Sequence, residues 1–347
     1  MSNKANLDKK IILVSPLPPP IGGIASWTQS YLKYLDKQNI CYKHVNSAVV
    51  GKRTKNNKTS YIQELKRMIK LRKDIKRAIT NESNLIIHYN ASCFTQGLIR
   101  DLFVLQGIKV PIVYQCHCNL DTNINNNIAK LFFSLICHKV SAVCVLNNAS
   151  KKTAEIYTEK VFYVPNFIDK LNCSHRKVSE QLDKICYVGR VEKKKGIQEL
   201  LEAADRCSNI EFNIIGPITD SDFKNVNKSN VKLWGPVENS QIFEILNKMD
   251  AYVLPSYSEG FPLGVLEAMS CGLPIIASDV GSIKDMISEY GGILVQPYSV
   301  EDLVYAFNKI SSKDIRMKMS EYNIEKVEKH YYIDIVIKQF FDIYSSL

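Results

Sequence analysis

The sequence predicts an α/β protein made of two Rossmann-like domains. Short apolar runs alternate with segments of helical periodicity along most of its 347 residues, and this alternation is typical of parallel sheets flanked by helices. The length favours two domains over one, and a polar stretch over residues 165–184 divides two such series. We therefore expect two facing domains with a cleft between them, beyond the carboxyl ends of the strands.

The first series begins with a predicted strand at residues 10–15. The loop at 16–23 is rich in proline and glycine and fits neither a helix nor a central strand. Residues 25–35 then have helical periodicity. Further strands are predicted at 85–88, 112–116, 142–146 and 161–164, with an apolar, buried helix at 128–138.

The second series repeats the pattern after residue 184. Strands are predicted at 184–189, 211–215, 231–234, 251–254, 274–277 and 293–295. Helices are predicted at 197–207, 240–248, 263–269, 300–310 and 323–347.

Positive charge is concentrated in the first half of the chain. Residues 1–172 contain 25 Lys and Arg against 10 Asp and Glu, and eleven of the basic residues lie at 52–77. Apolar residues recur there at helical spacing, which predicts an amphipathic helix over 61–79 with a cationic outer face. Two interpretations stay open: a solvated surface helix, or contact with an anionic membrane, which attracts each nearby basic residue by about 1 kcal/mol. Nucleic acid is not expected as a partner, because no recognition motif accompanies the charge.

The sequence offers no sign of export or of membrane insertion. Its longest apolar runs are shorter than the roughly 18–20 residues that cross a bilayer, and the apolar stretch at 11–14 is too short for the core of a signal peptide. The ten cysteines form no Cys-x-x-Cys pair and are interpreted as reduced thiols. We therefore expect a cytoplasmic protein.

The most informative stretch runs from Ser258 to Met269. Glu259 follows the apolar run at 251–255, and Glu267 comes eight residues later. Pro262 suits the first turn of a helix, so Glu259 is expected at the end of a strand and Glu267 inside the next helix. The N–H groups at that helix start attract anions. Two carboxylates around such a site suit a sugar nucleotide, whose diphosphate lies between two hydroxyl-rich rings.

This stretch, Glu-Gly-Phe-Pro-Leu-Gly-Val-Leu-Glu-Ala-Met, resembles the Glu-x7-Glu motif of retaining glycosyltransferases of the GT-B architecture, family 4 (glycosyl transferases group 1). The resemblance implies that Glu259 contacts the donor sugar and that Glu267 accepts hydrogen bonds from the ribose. The implied donor-binding residues between them are Gly260, Phe261, Pro262, Leu263 and Gly264.

A second segment, from Val188 to Gly196, resembles the family's Gly-Arg-Leu-x-x-x-Lys-Gly motif. Arg190 can donate two hydrogen bonds to a phosphate, and Lys195 adds a point charge. Fixed cations at this position stabilise the charge that grows on a leaving diphosphate. The resemblance therefore implies metal-independent catalysis without a cofactor, and it places Val237 beside the nucleotide base.

Several residues of the first half match the family less closely. Gly22 and Gly23 follow the first strand and let the backbone approach the donor phosphate or the acceptor, although a plain tight turn is the alternative. His117 ends a strand where the family often has a histidine facing the donor sugar, although a lone histidine is often structural. His88 and Asn90 also end a strand and are candidates for acceptor contact.

The resemblance implies three segments: residues 1–170 bind the acceptor, residues 171–325 bind the nucleotide sugar, and a helix at 326–347 returns to the first domain. The implied reaction moves a sugar from a nucleotide-sugar donor, expected to be UDP-linked, to a lipid-linked saccharide. Such an enzyme serves bacterial surface polysaccharide synthesis (O-antigen, capsule or exopolysaccharide), peripherally at the inner face of the plasma membrane.

Two alternatives stay open. One is another GT-B enzyme, a phosphorylase or a sugar-nucleotide epimerase. The other is a non-catalytic membrane scaffold that binds nucleotide sugars, from which the loss of Arg190, Lys195, Glu259 or Glu267 would be expected. A nicotinamide-dependent dehydrogenase is disfavoured, because the loop at 16–23 lacks the Gly-x-Gly-x-x-Gly pattern.

Overall fold

The computed structural model describes residues 8–19, 22–48, 61–79, 83–170 and 177–347. The chain divides into two compact units. Unit 1 comprises Met1–Asn166 with Ile333–Leu347, and unit 2 comprises Phe167–Tyr332. Each contains a six-stranded sheet whose described pairings are all parallel. The predicted class of two Rossmann-like α/β domains is confirmed.

Unit 1 has the strand order β2-β1-β3-β4-β5-β6. Its strands are β1 (Lys10–Ser15), β2 (Tyr42–Asn46), β3 (Leu85–Ala91), β4 (Ile112–Cys116), β5 (Ala142–Val145) and β6 (Val161–Tyr163). Its helices are α1 (Gly23–Lys37), α2 (Tyr61–Ala78), α3 (Thr95–Leu105), α4 (Leu120–Asn123), α5 (Asn127–Lys139), α6 (Asn148–Glu155) and the last helix of the chain, α13 (Ile333–Ser346). Strands β3 and β4 are buried along their whole length, as expected for central strands covered on both faces.

Unit 2 has the strand order β12-β11-β10-β7-β8-β9. Its strands are β7 (Lys184–Val188), β8 (Glu211–Ile215), β9 (Val231–Gly235), β10 (Ala251–Leu254), β11 (Ile275–Ser278) and β12 (Gly292–Val295). Its helices are α7 (Ile197–Arg206), α8 (Asn239–Leu246), α9 (Leu263–Ser270), α10 (Ile283–Ile287), α11 (Val300–Lys309) and α12 (Lys313–His330), with 3-10 turns at Lys193–Lys195 and Ser221–Phe223. Because β11, β10, β7 and β8 are neighbours, the loops after them meet at one edge of the sheet.

The C-terminal segment is two helices rather than the single one predicted at 323–347. Helix α12 ends at His330, and the next two residues lie beside Ile168, whose N–H donates to the Tyr331 carbonyl (2.9 Å). The Asn323 amide of α12 donates to the carbonyls of Leu273 and Gly291 in unit 2. Helix α13 belongs to unit 1, where the hydroxyl groups of Tyr344 and Tyr31 are 2.9 Å apart.

Helix α2 forms where the periodicity predicts it, but only part of its apolar stripe reaches the core. Leu71 and Ile75 are buried, whereas Ile62, Leu65 and Ile69 are exposed. Helix α5, expected to be buried, likewise leaves apolar side chains exposed. Among the residues that the structure describes, no helix is long and apolar enough to span a bilayer.

Candidate active site

Lys195 and Glu259 form an ion pair at the carboxyl edge of the unit 2 sheet. The Lys195 Nζ lies 2.6 Å from the Glu259 Oε1, and both side chains are largely buried. Lys195 ends the 3-10 turn after β7, and Glu259 lies in the loop after the neighbouring strand β10. The Tyr257 N–H donates to the Lys194 carbonyl (3.0 Å), which fixes one loop against the other. The two motifs that lie far apart in the sequence therefore form one site.

Gly281 supports this loop from a third strand end. It has a positive φ of 60°, and a Cβ placed on it would lie 2.0 Å from the Glu259 carbonyl oxygen. The next residue, Ser282, donates its N–H to the Gly260 carbonyl (3.1 Å). Gly281 and Ser282 were not among the predicted site residues, although a glycine three residues after an apolar strand is a signal for a turn.

Glu267 lies inside α9, one turn beyond the helix start. The helix begins at Leu263 and no side chain caps it, so its first-turn N–H groups point out of the helix end. Burial raises the pKa of the Glu267 carboxyl to about 7. This part of the site thus combines an uncapped helix start with a half-protonated carboxyl group at neutral pH, an arrangement suited to an anion flanked by hydroxyl groups.

Two buried tyrosines under the site explain two of its features. The Tyr252 hydroxyl donates to the Val188 carbonyl (3.2 Å), and a Cβ on Gly264 would lie 2.5 Å from that hydroxyl oxygen. The Tyr187 hydroxyl donates to the Arg190 carbonyl (2.7 Å). Gly264 is therefore required by packing as well as by any ligand, and Tyr187 fixes the backbone from which the Arg190 side chain extends.

The Arg190 guanidinium is the exposed cation of the site. Its Nη2 lies 3.2 Å from the Glu192 Oε1, and 61% of the side chain is exposed. Val237 lies two residues beyond β9. The Gly189 N–H donates to the Ile215 carbonyl, and the Gly216 N–H donates to the Gly235 carbonyl (2.9 Å each). The chain segments that lead to Arg190 and to Val237 therefore leave the sheet at the same level. The structure thus brings Arg190, Lys195, Glu259 and residues 260–264 to one edge of unit 2, together with Glu267, and Val237 follows the neighbouring edge strand.

Gly22, Gly23 and His117 lie at the carboxyl ends of strands of unit 1. His88 and Asn90 were predicted to end a strand, but they lie within β3, which continues to Ala91. Gly22 precedes the first turn of α1 with an extended backbone, and Gly23 is the first helical residue. Among the described residues, a Cβ on either glycine would meet no non-neighbouring atom within 4 Å. The packing of the described part of the chain therefore does not require glycine at these two positions.

His117 is a neutral group at the end of β4. Burial, and then the nearby His88, lowers its pKa to about 3. Its Nε2 is buried and has no hydrogen-bond partner among the described residues. The Asn90 Oδ1 is in the same situation, while its Nδ2 donates to the Ser15 Oγ (2.8 Å). Both side chains therefore have spare hydrogen-bonding capacity at this edge of the sheet.

His88 is placed differently from its prediction. It is buried, its Nε2 is 2.8 Å from the Gln115 Oε1, and its Nδ1 is hydrogen-bonded to the Tyr344 hydroxyl. Both ring nitrogens are therefore engaged within the protein. His88 thereby links β3 to α13, and its predicted contact with the acceptor stays a prediction.

Comparison with known proteins identifies part of the chain. Residues 174–327 match the family model described as Glycosyl transferases group 1. A Klebsiella pneumoniae protein described as an uncharacterized 41.2 kDa protein in the cps region is 30% identical over 227 residues, covering 59% of this chain and 63% of that protein. The N,N'-diacetylbacillosaminyl-diphospho-undecaprenol alpha-1,3-N-acetylgalactosaminyltransferase of Campylobacter jejuni is 26% identical over 219 residues, covering 60% of this chain and 56% of that protein. The chain spans about three fifths of the length of these two curated relatives.

Solved structures match nearly the whole chain. Sucrose-phosphate synthase from Thermosynechococcus elongatus has a TM-score of 0.78 at 16% identity, covering 97% of this chain and 98% of that one. Anabaena HepE, solved in complex with UDP and glucose, has a TM-score of 0.73 at 16% identity, covering 98% and 100%. These likenesses confirm the predicted GT-B fold class.

Proposed function

We propose that this chain is a retaining glycosyltransferase of family 4 that takes its sugar from a nucleotide-sugar donor. The observation that carries the proposal is the assembly of Lys195, Glu259 and Glu267 around the uncapped start of α9, with Arg190 beside it. The match of residues 174–327 to a glycosyltransferase domain and the UDP held by a protein of the same fold support a UDP-linked donor.

In the proposed reaction, Arg190 and Lys195 bind the diphosphate. Lys195 is paired with Glu259 (2.6 Å). When Lys195 also binds the diphosphate, its ion pair with Glu259 weakens, and Glu259 can accept hydrogen bonds from the hydroxyl groups of the donor sugar. As the bond between sugar and phosphate breaks, the negative charge on the leaving diphosphate grows, and the two cations stabilise it more in the transition state than in the ground state. The chemistry proposed here needs no metal ion and no cofactor.

Retention is proposed to follow a front-face route. The leaving phosphate oxygen accepts the proton of the incoming acceptor hydroxyl, which attacks the sugar carbon on the face that the phosphate leaves. Glu259 is held at 2.6 Å by a cation, which suits a carboxylate that binds sugar hydroxyls and lowers its strength as a nucleophile. Glu267 binds the ribose at the opposite end of the donor.

The groups that unit 1 is proposed to use in binding carry no charge. Burial lowers the pKa of His117 to about 3, so at neutral pH its imidazole is a neutral hydrogen-bonding group for the donor sugar. Asn90 offers a buried amide oxygen for the acceptor. Gly22 and Gly23 leave space above the start of α1 for the donor phosphates or the acceptor.

Replacing Gly23 with alanine tests this use of space. Because the new Cβ would meet no non-neighbouring atom of the described residues within 4 Å, the melting temperature is expected to stay the same or to rise slightly, as alanine favours the helix. The rate of UDP release from a UDP-sugar is expected to fall by about ten-fold or more, since misplacing a bound substrate by about 1 Å costs up to 10²-fold. An unchanged rate would favour the plain turn over the binding role.

The acceptor is proposed to be a lipid-linked saccharide used in bacterial surface polysaccharide synthesis. A relative described as lying in the cps region and another named as a diphospho-undecaprenol N-acetylgalactosaminyltransferase support this choice. An enzyme with such an acceptor works at the inner face of the plasma membrane, and α2 is proposed to contact the anionic lipids there.

The donor class is tested by thermal-shift measurements with UDP-, GDP-, ADP- and dTDP-sugars in the presence of EDTA. We expect stabilisation by the UDP-sugars, because a ligand at 100 times its Kd adds about 2.7 kcal/mol to the stability of the state that binds it. Arg190→Ala and Lys195→Ala are expected to lose it. Lys193→Ala is the matched control, since Lys193 belongs to the same 3-10 turn but pairs with Asp222 (2.7 Å).

Two outcomes would contradict the proposal of a donor site. If none of the nucleotide sugars stabilised the protein, the proposed donor site would be wrong. Equal loss of stabilisation in Lys193→Ala would show that general surface charge, rather than the placement of Lys195, holds the ligand. Stabilisation that requires a divalent cation would overturn the metal-independent reaction and leave the donor class standing.

A further inference from the structure

The exposed apolar side chains of the described residues are concentrated in one place. Of the fifteen large apolar or aromatic side chains that are exposed, nine lie on α2, on α5, or on α3 and the residue before it. On α5, Ile128, Leu131 and Leu135 are 57%, 57% and 44% exposed, and they follow each other at the spacing of one helix face. Residues exposed singly are ordinary, but a cluster on neighbouring helices marks an interaction site.

These helices lie side by side on one face of the unit 1 sheet. The connections from β2 to β3, β3 to β4 and β4 to β5 all cross the sheet in the same direction, so right-handed crossovers place α2, α3 and α5 on the same face. Arg72 of α2 donates to the Phe103 carbonyl of α3 (2.9 Å), and the Asn126 amide before α5 donates to Thr95 at the start of α3 (3.4 Å). We call the outward surface of these three helices the apolar helical face.

The other side of each helix is the one that packs on the sheet. Ile75 of α2, Val104 of α3 and Phe133 of α5 are fully buried. On α3, Ile99 and Phe103 point the opposite way and are more than a third exposed. The exposed residues are therefore not part of the core of unit 1.

Basic side chains adjoin this apolar surface. Helix α2 contains seven Lys and Arg and two acidic residues, Glu64 and Asp74. Each acidic residue is paired within the helix, with Arg67 (3.1 Å) and Arg77 (3.6 Å) respectively. The exposed lysines Lys66, Lys70, Lys73 and Lys76 of α2 therefore dominate the charge, and Lys130 adds to it on α5.

The composition of the apolar helical face favours a lipid surface over a protein. Protein interfaces are enriched in aromatic residues, Met and Arg and depleted in Lys, whereas the exposed apolar residues of this face are seven Ile and Leu and two Phe, next to lysines. A second copy of the chain that paired symmetrically would bring the excess positive charge of α2 towards itself. Anionic lipid headgroups complement that charge, and the acyl region takes up apolar side chains.

We infer that the apolar helical face docks on an anionic bilayer, with Ile62, Leu131 and their neighbours entering the boundary between headgroups and acyl chains, and the lysines of α2 binding the headgroups. This inference deepens the membrane contact proposed above, which rested on the charge of α2 alone. It rests on the proposed function only for the reason the enzyme is at the membrane, and not for the docking itself.

Insertion is tested by placing a tryptophan on the face and adding vesicles of phosphatidylcholine and phosphatidylglycerol. Leu131→Trp is expected to show a blue-shifted emission and quenching by brominated acyl chains. Tyr305→Trp is the matched control, at a position in unit 2 that is 63% exposed, and should show neither. A Leu131→Trp variant that responds no more than the control would overturn the inference.

Flotation with the same vesicles separates the apolar contribution from the charged one. A variant with Ile128, Leu131 and Leu135 all changed to serine is expected to partition into the vesicles about ten-fold or more weakly, at low and at high salt. The reason is that the burial of three apolar side chains in the bilayer no longer contributes to binding. A variant with Lys66, Lys70 and Lys73 changed to glutamine is expected to lose at least ten-fold at low salt only, because salt screens these attractions. Tyr305→Ser combined with Met317→Ser in unit 2 is the control for apolar-to-serine changes.

Two outcomes would overturn the inference, and two controls exclude other causes of a loss. The inference would be overturned if the serine variant floated as well as the wild type does. It would also be overturned if the wild type were a dimer and the serine variant a monomer, because the face would then bind a second copy of the chain. Equal melting temperatures of all variants show that folding is not the cause of a loss. If UDP still stabilises the serine variant, its donor site is intact. A failure of the docking inference can therefore be distinguished from a failure of the proposed donor binding.

Discussion

Replacing Glu267 with glutamine is expected to stabilise the protein at pH 8 and to weaken its binding of UDP. Burial raises the pKa of this carboxyl from the ordinary value of 4.5 to about 7, so the folded protein holds a proton that the unfolded chain has lost. The contribution of protonated Glu267 to the free energy of unfolding is present in full below pH 4.5 and is lost as the pH rises to about 7. The size of this loss is up to roughly 3 kcal/mol, because each pH unit of difference corresponds to about 1.36 kcal/mol.

Glutamine at position 267 does not ionise, so the variant should avoid this cost. We expect its melting temperature to exceed that of the wild type at pH 8 and to match it at pH 4.5. Glu259→Gln is the control, since the Glu259 carboxylate is paired with Lys195 at 2.6 Å and its loss should lower stability at pH 8. A melting-temperature difference for Glu267→Gln that does not grow between pH 5 and pH 8 would contradict the burial of this group.

The same variant is expected to bind UDP about ten- to hundred-fold more weakly at pH 8, because hydrogen bonds to a charged group contribute about 1.5–3 kcal/mol. The ratio of wild-type to variant affinity should grow as the pH rises through 7, since the ionised carboxylate is the better acceptor for ribose hydroxyls. Taking the ratio cancels the titration of the nucleotide itself. If the ratio of the two affinities did not change with pH, the ribose would not be bound by Glu267. The predicted effect of Glu267 on the melting temperature would still stand.

The sequence predicts that the loops carrying Arg190 and Glu259 meet, whereas the roles of these residues in donor binding stay proposals. Arg190 and Glu259 each follow an apolar run, and parallel strands end at a common edge of the sheet, so the meeting of their loops follows from the pattern alone. The contact of Lys195 with Glu259 is consistent with this, because the strands that precede these residues are neighbours in the sheet. The support from Gly281 was harder to predict, since it depends on a backbone distance that no periodicity reveals.

Other features depend on long-range packing and were beyond the sequence. Strand β2 is an edge strand, Tyr-Lys-His-Val-Asn, of which only Val45 is buried, so it lacks the apolar run by which the other strands were predicted. His88 is hydrogen-bonded to Tyr344, 256 residues away. Periodicity shows that α2 and α5 have apolar faces, but how much of each face the sheet covers is decided by the neighbouring elements.

Replacing Gly281 with alanine is expected to disable the donor site. The backbone φ of 60° disfavours alanine, at a cost of roughly 1–2 kcal/mol. In addition, the new Cβ would lie 2.0 Å from the Glu259 carbonyl oxygen and 3.0 Å from that of Gly260. Both atoms belong to the backbone and cannot rotate away, so the loop that carries Glu259 must move. Overpacking of this kind typically costs a further 1–3 kcal/mol or so.

The displacement separates this variant from one that is merely strained. Gly107→Ala is the matched control, because Gly107 has a φ of 76° but a Cβ added to it would lie 3.8 Å from its nearest neighbour, an Arg72 guanidinium nitrogen. Both variants are expected to melt earlier than the wild type, and Gly281→Ala by the larger amount. Only Gly281→Ala should lose the stabilisation by UDP and the release of UDP from a UDP-sugar. If it kept both, the loop after β10 would have to tolerate movement, and the placement of Glu259 against Lys195 would not be what the reaction requires.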